Sequence, residues 1–135
     1  MSKNISKVVI DTNVWVSGLV FGGNPRDILQ QFIKEEIVVI ISEEVITELH
    51  RIIIQKFSLL KPGLKLLEES IRKDSTLVHL GDYTVNASRD SDDNKIIETA
   101  VIGGADYIIS GDEDLLSIVQ YKDIKIINPS EFLKL

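Results

Sequence analysis

The sequence predicts an α/β protein built on a mostly parallel sheet covered on both faces by helices. Three observations predict it. Five short runs rich in Val and Ile have the length of buried strands. Segments with apolar residues at helical spacing separate most of them. The length, 135 residues, is that of one domain, 1–135, with a sizeable core.

Residues 6–10 form the first strand, which runs straight into Asp11. No element is assigned to 12–23, where Trp15, Val16, Leu19 and Phe21 are candidates for the core or a subunit interface. Residues 24–36 read as a helix: Asn24 is a plausible N-cap, Pro25 fits the first helical position, and Ile28, Leu29, Phe32 and Ile33 form a stripe. The second strand is 37–42. Ser42 then caps a helix over 42–57 with Val45, Leu49, Ile52 and Ile53 on one face. A shorter helix over 61–74 follows a Pro-Gly break, and 75–81 is the third strand. An acid-rich loop, 86–95, leads into a helix over 95–102 that Gly103-Gly104 ends. Residues 106–110 are the fourth strand, 111–119 a short helix, and 124–127 the fifth strand. "NPSEFLKL" closes with a helical turn.

Composition narrows the function. With no cysteine, disulfides and thiolate metal sites are excluded. The longest apolar runs, such as 37–41, are too short to span a bilayer, and "MSKNISK" has no apolar signal region after it. A cytoplasmic protein without a membrane partner is expected. The net charge of −6 is unlike that of most nucleic-acid binders, unless carboxylates gather in a metal site whose cations reverse the local field.

Four acids fit such a site. In a parallel sheet, ligands bind outside the carboxyl ends of the strands. Asp11 lies at one such end, and Asp112 lies just beyond another, so the two converge if strands one and four are neighbours. Asp93 stands three and four residues before Ile96 and Ile97 and shares their buried face. Glu48 borders an apolar stripe four residues after Glu44, a like-charge spacing that does not favour a helix. Each has a plainer reading: a helix cap or first-turn acid for Asp93 and Asp112, a solvated edge for Glu48. Asp11 is the hardest to explain without a donor, a partner or a cation. Oxygen-only ligands suit Mg²⁺ or Mn²⁺, and metal-assisted phosphodiester hydrolysis is the chemistry that follows.

The motifs "VVIDTNVWVSGL", "VITEL", "SDDNKIIETA", "GGADYIISGDEDLL" and "IIN" occur in the order of a PIN domain. The resemblance spans nearly the whole chain and is nearest to toxins of type II toxin–antitoxin systems. It implies a three-layer α/β/α sandwich with a central, mostly parallel five-stranded sheet, and a metal-dependent ribonuclease. It places the metal-binding, catalytic quartet at Asp11, Glu48, Asp93 and Asp112, with Thr12 and Asn13 as polar neighbours of the first acid. Ser110, where the family often has Thr, keeps a hydroxyl able to orient Asp112 or a bound water. Asp92 is an N-cap or an outer acid, and Asp114 a capping or surface residue. The resemblance further implies an RNA substrate, a homodimer and, for a toxin, a cognate antitoxin protein.

Other residues weigh less. His50 and His79 form no ligand cluster. A base-stacking role for Trp15 stands beside its core reading. Arg26, Arg51, Lys56, Arg89 and Lys95 either line a phosphate path or are scattered surface charge. No glycine-rich phosphate loop occurs, so no nucleotide cofactor is expected. The rival functions are a metal-dependent phosphoesterase acting on DNA or a small phosphate ester, and a catalytically silent binding module.

Overall fold

In a computed structural model that describes residues 5–135, β1 (Lys7–Ile10) buries Val8, Val9 and Ile10 because it runs through the middle of the sheet. Residues 1–4, within the leading "MSKNISK", lie outside the described residues. Parallel partners flank β1: β2 (Val38–Ser42) on one side and β4 (Tyr107–Ile109) on the other. Beyond β2 lies β3 (Thr76–Val78), and beyond β4 lies β6 (Ile124–Ile127), both also parallel. Strands covered on both faces need apolar side chains on both, which is why β1, β2 and β4 read as unbroken Val/Ile runs.

The pattern predicts five strands and the sheet has six. The extra one, β5 (Gln120–Tyr121), pairs antiparallel with β6 at the sheet's edge. Two residues carry no periodicity, so hydrophobic pattern cannot reveal such a strand. Lys122, at φ 52°, makes the tight turn between the two.

Helices flank the sheet: α1 (Thr12–Val20), α2 (Gly23–Ile33), α3 (Glu43–Lys56), α4 (Leu64–Asp74), α5 (Ser91–Gly103), α6 (Glu113–Leu116) and α7 (Pro129–Leu133). The sequence pattern assigns nothing to α1. It buries Thr12, Val14, Trp15, Val16 and Gly18, so it shows no polar face from which to read a helical period. Trp15 is 2% exposed and packs edge-on against Phe32, which places it in the core and removes the base-stacking reading. Asn24 is not the cap of α2; Gly22 is, at φ 88°, and Asn24 sits in the first turn. Ser42 does cap α3, accepting from the Val45 N–H. Pro62 falls in a 3₁₀ segment, Ser58–Gly63, and α4 starts only after it. β3 ends at Val78, so exposed His79 lies past it.

α5 begins at Ser91, ahead of the start that its apolar stripe indicates, because Asp90 caps it by accepting from the Asp92 N–H. Asp92 is therefore not the cap. At its other end, α5 presses on β2. A Cβ on Gly103 would stand 2.3 Å from Cγ2 of buried Ile40, so only glycine allows this approach. Gly104, left-handed at φ 67°, then ends the helix. Asn128 and Glu131 form a reciprocal capping box at α7.

Candidate metal centre

β1 is the switch point of this sheet: the chain leaves it toward β2 and returns on its other side at β4. Ligands of open α/β sheets bind past the carboxyl ends of strands at such a point. Ile10 pairs with Ile109, so the residues following the two strands meet.

Asp11 follows β1 and is 6% exposed. Its backbone N–H donates to the Ile109 carbonyl at 2.9 Å, continuing the strand pairing for one more residue. Its carboxylate accepts from Ser110 Oγ at 2.8 Å. Ser110 Oγ, fully buried, also accepts from the Asp112 N–H at 3.0 Å. One hydroxyl thus fixes the first acid and the backbone of the fourth. Burial pushes the Asp11 carboxyl up; the bonds from Ser110 and the Thr12 backbone pull it down, and Asp112 and Asp90 raise it.

Asp93, on the buried face of α5 as its spacing predicts, is 5% exposed. Its carboxyl is pushed up to about 7, first by burial and then by the neighbouring Asp112 carboxyl. Ser88 Oγ donates to it at 3.2 Å. Asp112 caps α6 through the Asp114 N–H at 3.1 Å, so it is both a cap and a member of the acid group.

Carboxylate oxygens of Asp93, Asp112 and Asp114 all lie within 4.8 Å of one another. Ligand oxygens around one Mg²⁺ at about 2.1 Å lie roughly 3–4 Å apart, so small side-chain rotations close this set. Asp114, read from sequence as a capping or surface residue, therefore stands among the acids. Its position two residues after Asp112 is the available signal.

Asp11 and Glu48 are outside that tight trio. Asp11 is tied to it through Ser110 and the field of Asp112. Half-buried Glu48 is pushed up by burial, then by Asp92 and Asp11; Arg51 and the Thr12 hydroxyl offset part of this. Asp92, exposed, joins Glu48 along a groove with Glu43, Glu44, Thr47 and Lys95. Thr12 Oγ1 is buried, and no hydrogen bond of normal geometry satisfies it. Asn13 is exposed and borders a second groove with Asp112.

Among the described residues, Asp11, Glu48, Asp92, Asp93, Asp112 and Asp114 make one ion pair, Asp114 with Arg89 at 3.4 Å. Crowded carboxylates, those of Asp11, Glu48 and Asp93 pushed up, with one exposed ion-paired cation beside them, fit a hard divalent ion. Arg26 is occupied elsewhere, donating to the Gly18 and Leu19 carbonyls, and His50 pairs with Glu68.

Sequence reasoning missed Ser88, Asn94 and Glu98. Asn94 and Glu98 are buried polar residues within α5, a pattern visible in the sequence only once the helix is known to start at Ser91.

This fold and edge define an α/β protein with an oxygen-donor cleft suited to a divalent metal. Its sequence matches the PIN domain over residues 7–114, and the chain belongs to the PIN-domain family. It is similar to an uncharacterized protein, MJ1680, of Methanocaldococcus jannaschii. The two are 34% identical over 152 aligned positions, covering 99% of this chain and 94% of the relative. PIN domains are typically metal-dependent nucleases. No helix among the described residues is long and apolar enough to cross a membrane.

Proposed function

We propose that this protein is a Mg²⁺- or Mn²⁺-dependent endoribonuclease. Asp11, Glu48, Asp93 and Asp112 hold the metal, and Asp114 joins them. The observation that carries the reading is the convergence of Asp93, Asp112 and Asp114 within 4.8 Å at the switch point of a PIN-domain sheet. The raised carboxyl of Asp93 supports it, since a carboxylate that burial and its acidic neighbours disfavour is one that a cation in place of the proton relieves.

The chain's own residues prepare the site. Ser110 aims Asp11 and anchors the backbone at Asp112, while Ser88 fixes Asp93. Thr12, Asn13 and Asp92 support the rim. When bound, the ion supplies the charge that activates water and neutralises the phosphodiester.

The resemblance to toxins of type II pairs extends the proposal to a toxin with a cognate antitoxin. A homodimer is part of it, and exposed Phe21 and Ile33 on the early helices supply candidate apolar contacts. Acting on RNA, the protein works in the cytoplasm.

The test is cleavage of single-stranded RNA with Mg²⁺ or Mn²⁺, for the wild type beside Asp11→Asn. Metal-dependent cleavage lost in Asp11→Asn is the expected result. Equal activity in the mutant, or none in the wild type, overturns the reading. Cleavage of DNA or a small phosphate ester instead points to a different phosphoesterase.

A further inference from the structure

Arg89 combines an exposed side chain with a tethered backbone. Its side chain is 87% exposed, and its one ion-pair partner among the described residues is Asp114, within the acid trio. Both neighbours in the chain are fastened. The Ser88 N–H donates to Asn94 Oδ1, and the Ser88 carbonyl accepts from Asn94 Nδ2, each at 2.8 Å. Asp90 donates its N–H to Ser88 Oγ and caps α5. Upstream, buried Glu98 accepts from the Val85 N–H at 3.4 Å. The loop is thus strapped to α5, and the strap delivers one exposed guanidinium to the rim of the acids.

We propose that Arg89 is a substrate-phosphate ligand, holding a phosphate of single-stranded RNA beside the scissile one. The proposal rests on the ribonuclease reading above. An acidic protein with a net charge of −6 must offset repulsion of a polyanion close to the cut. Several other cations are engaged: Arg26 by carbonyls, Arg72 by Glu43, Lys95 by Glu98. The Arg89–Asp114 pair is exposed and long, so it contributes little and exchanges readily. A cation that takes Asp114 weakens the pair and leaves the guanidinium for the two oxygens of a phosphate. Because the backbone is already fixed, less freedom is lost on binding.

The experiment compares the wild type with Arg89→Ala, Arg89→Lys and Arg51→Ala. It reads KM and kcat for RNA cleavage. It also reads the anisotropy of a short labelled oligoribonucleotide across a salt titration, with Ca²⁺ in place of Mg²⁺. Arg89→Ala is expected to raise KM and Kd roughly tenfold with kcat within about twofold. It should also flatten the log K against log salt slope by about 0.7. Arg89→Lys keeps the slope and recovers part of the affinity. Unchanged KM and slope in Arg89→Ala, with the wild type active, overturn this proposal and leave the ribonuclease reading standing. A loss confined to Arg51→Ala overturns it equally. A wild type that neither binds nor cuts RNA overturns both.

Discussion

Replacing Asp93 with asparagine is expected to stabilise the metal-free protein at alkaline pH. The Asp93 carboxyl titrates at about 7 in the fold against 3.8 ordinarily, with burial the largest cause and Asp112 the next. Between those values the folded state holds a proton that the unfolded state has lost. Stability therefore falls as pH rises through this window, and the deficit is complete above about 7. At about 1.4 kcal/mol per pH unit the ceiling is roughly 4 kcal/mol. Sharing the proton with Asp112 and access of water at the rim reduce it to about 2 kcal/mol.

Asparagine keeps the shape and removes the charge. Asp93→Asn should then raise Tm in EDTA at about pH 8 by roughly 5–8 °C and change it little at about pH 4.5. Thermal unfolding across that pH range in EDTA reads this. Glu43, lowered by its hydrogen bonds to Arg72, acts in the opposite sense: its contribution is lost as pH falls through its own lowered range. Adding Mg²⁺ at the alkaline end should stabilise the wild type more than the mutant. Wild-type stability that is flat or rising from about pH 5 to 8, or a mutant less stable than the wild type at the alkaline end, would refute the reasoning.

Ser110→Ala removes the donor to Asp11 and the acceptor for the Asp112 N–H, both at a fully buried position. A loss of about 1–3 kcal/mol is expected by denaturant titration. It should be larger near neutral pH than in mild acid, because the Asp11 carboxyl is pushed further up, and Ser110→Thr should restore most of it. Gly103→Ala gains about 1 kcal/mol of helix propensity but forces Ile40 aside, at about 1–3 kcal/mol, so a net loss is expected by the same titration.

The strands and the placement of Asp11 and Asp112 are legible because parallel sheets write themselves in unbroken Val/Ile runs, and Asp93 is legible from its helical spacing to Ile96 and Ile97. The carboxyl-end rule then says which residues meet. What is not legible has physical reasons. α1 is buried nearly all round, so its period is hidden. β5 is held by pairing with β6 rather than by any pattern of its own. The start of α5 is set by Asp90, ahead of its apolar stripe. Asp114 reads as a surface acid because sequence spacing does not tell which way a four-residue helix points its side chains.

The acids and the core make opposite demands on the same strands. Val8–Ile10 and Ile108–Ile109 are buried on both faces, and such burial favours nothing charged at their ends. The chain nevertheless places Asp11 and Asp112 there, with a buried hydroxyl between them. Ser110 satisfies part of Asp11 but leaves its carboxyl raised, and Asp93 is raised as well. A purely structural role would be served better by neutral side chains, since asparagine could accept the same bond from Ser110 without a charge to bury. The charges, together with their convergence at the switch point, are what a cation-binding edge requires. On the proposed function, the cost in metal-free stability and the affinity for a divalent ion have the same origin: carboxylates held close together before the ion arrives.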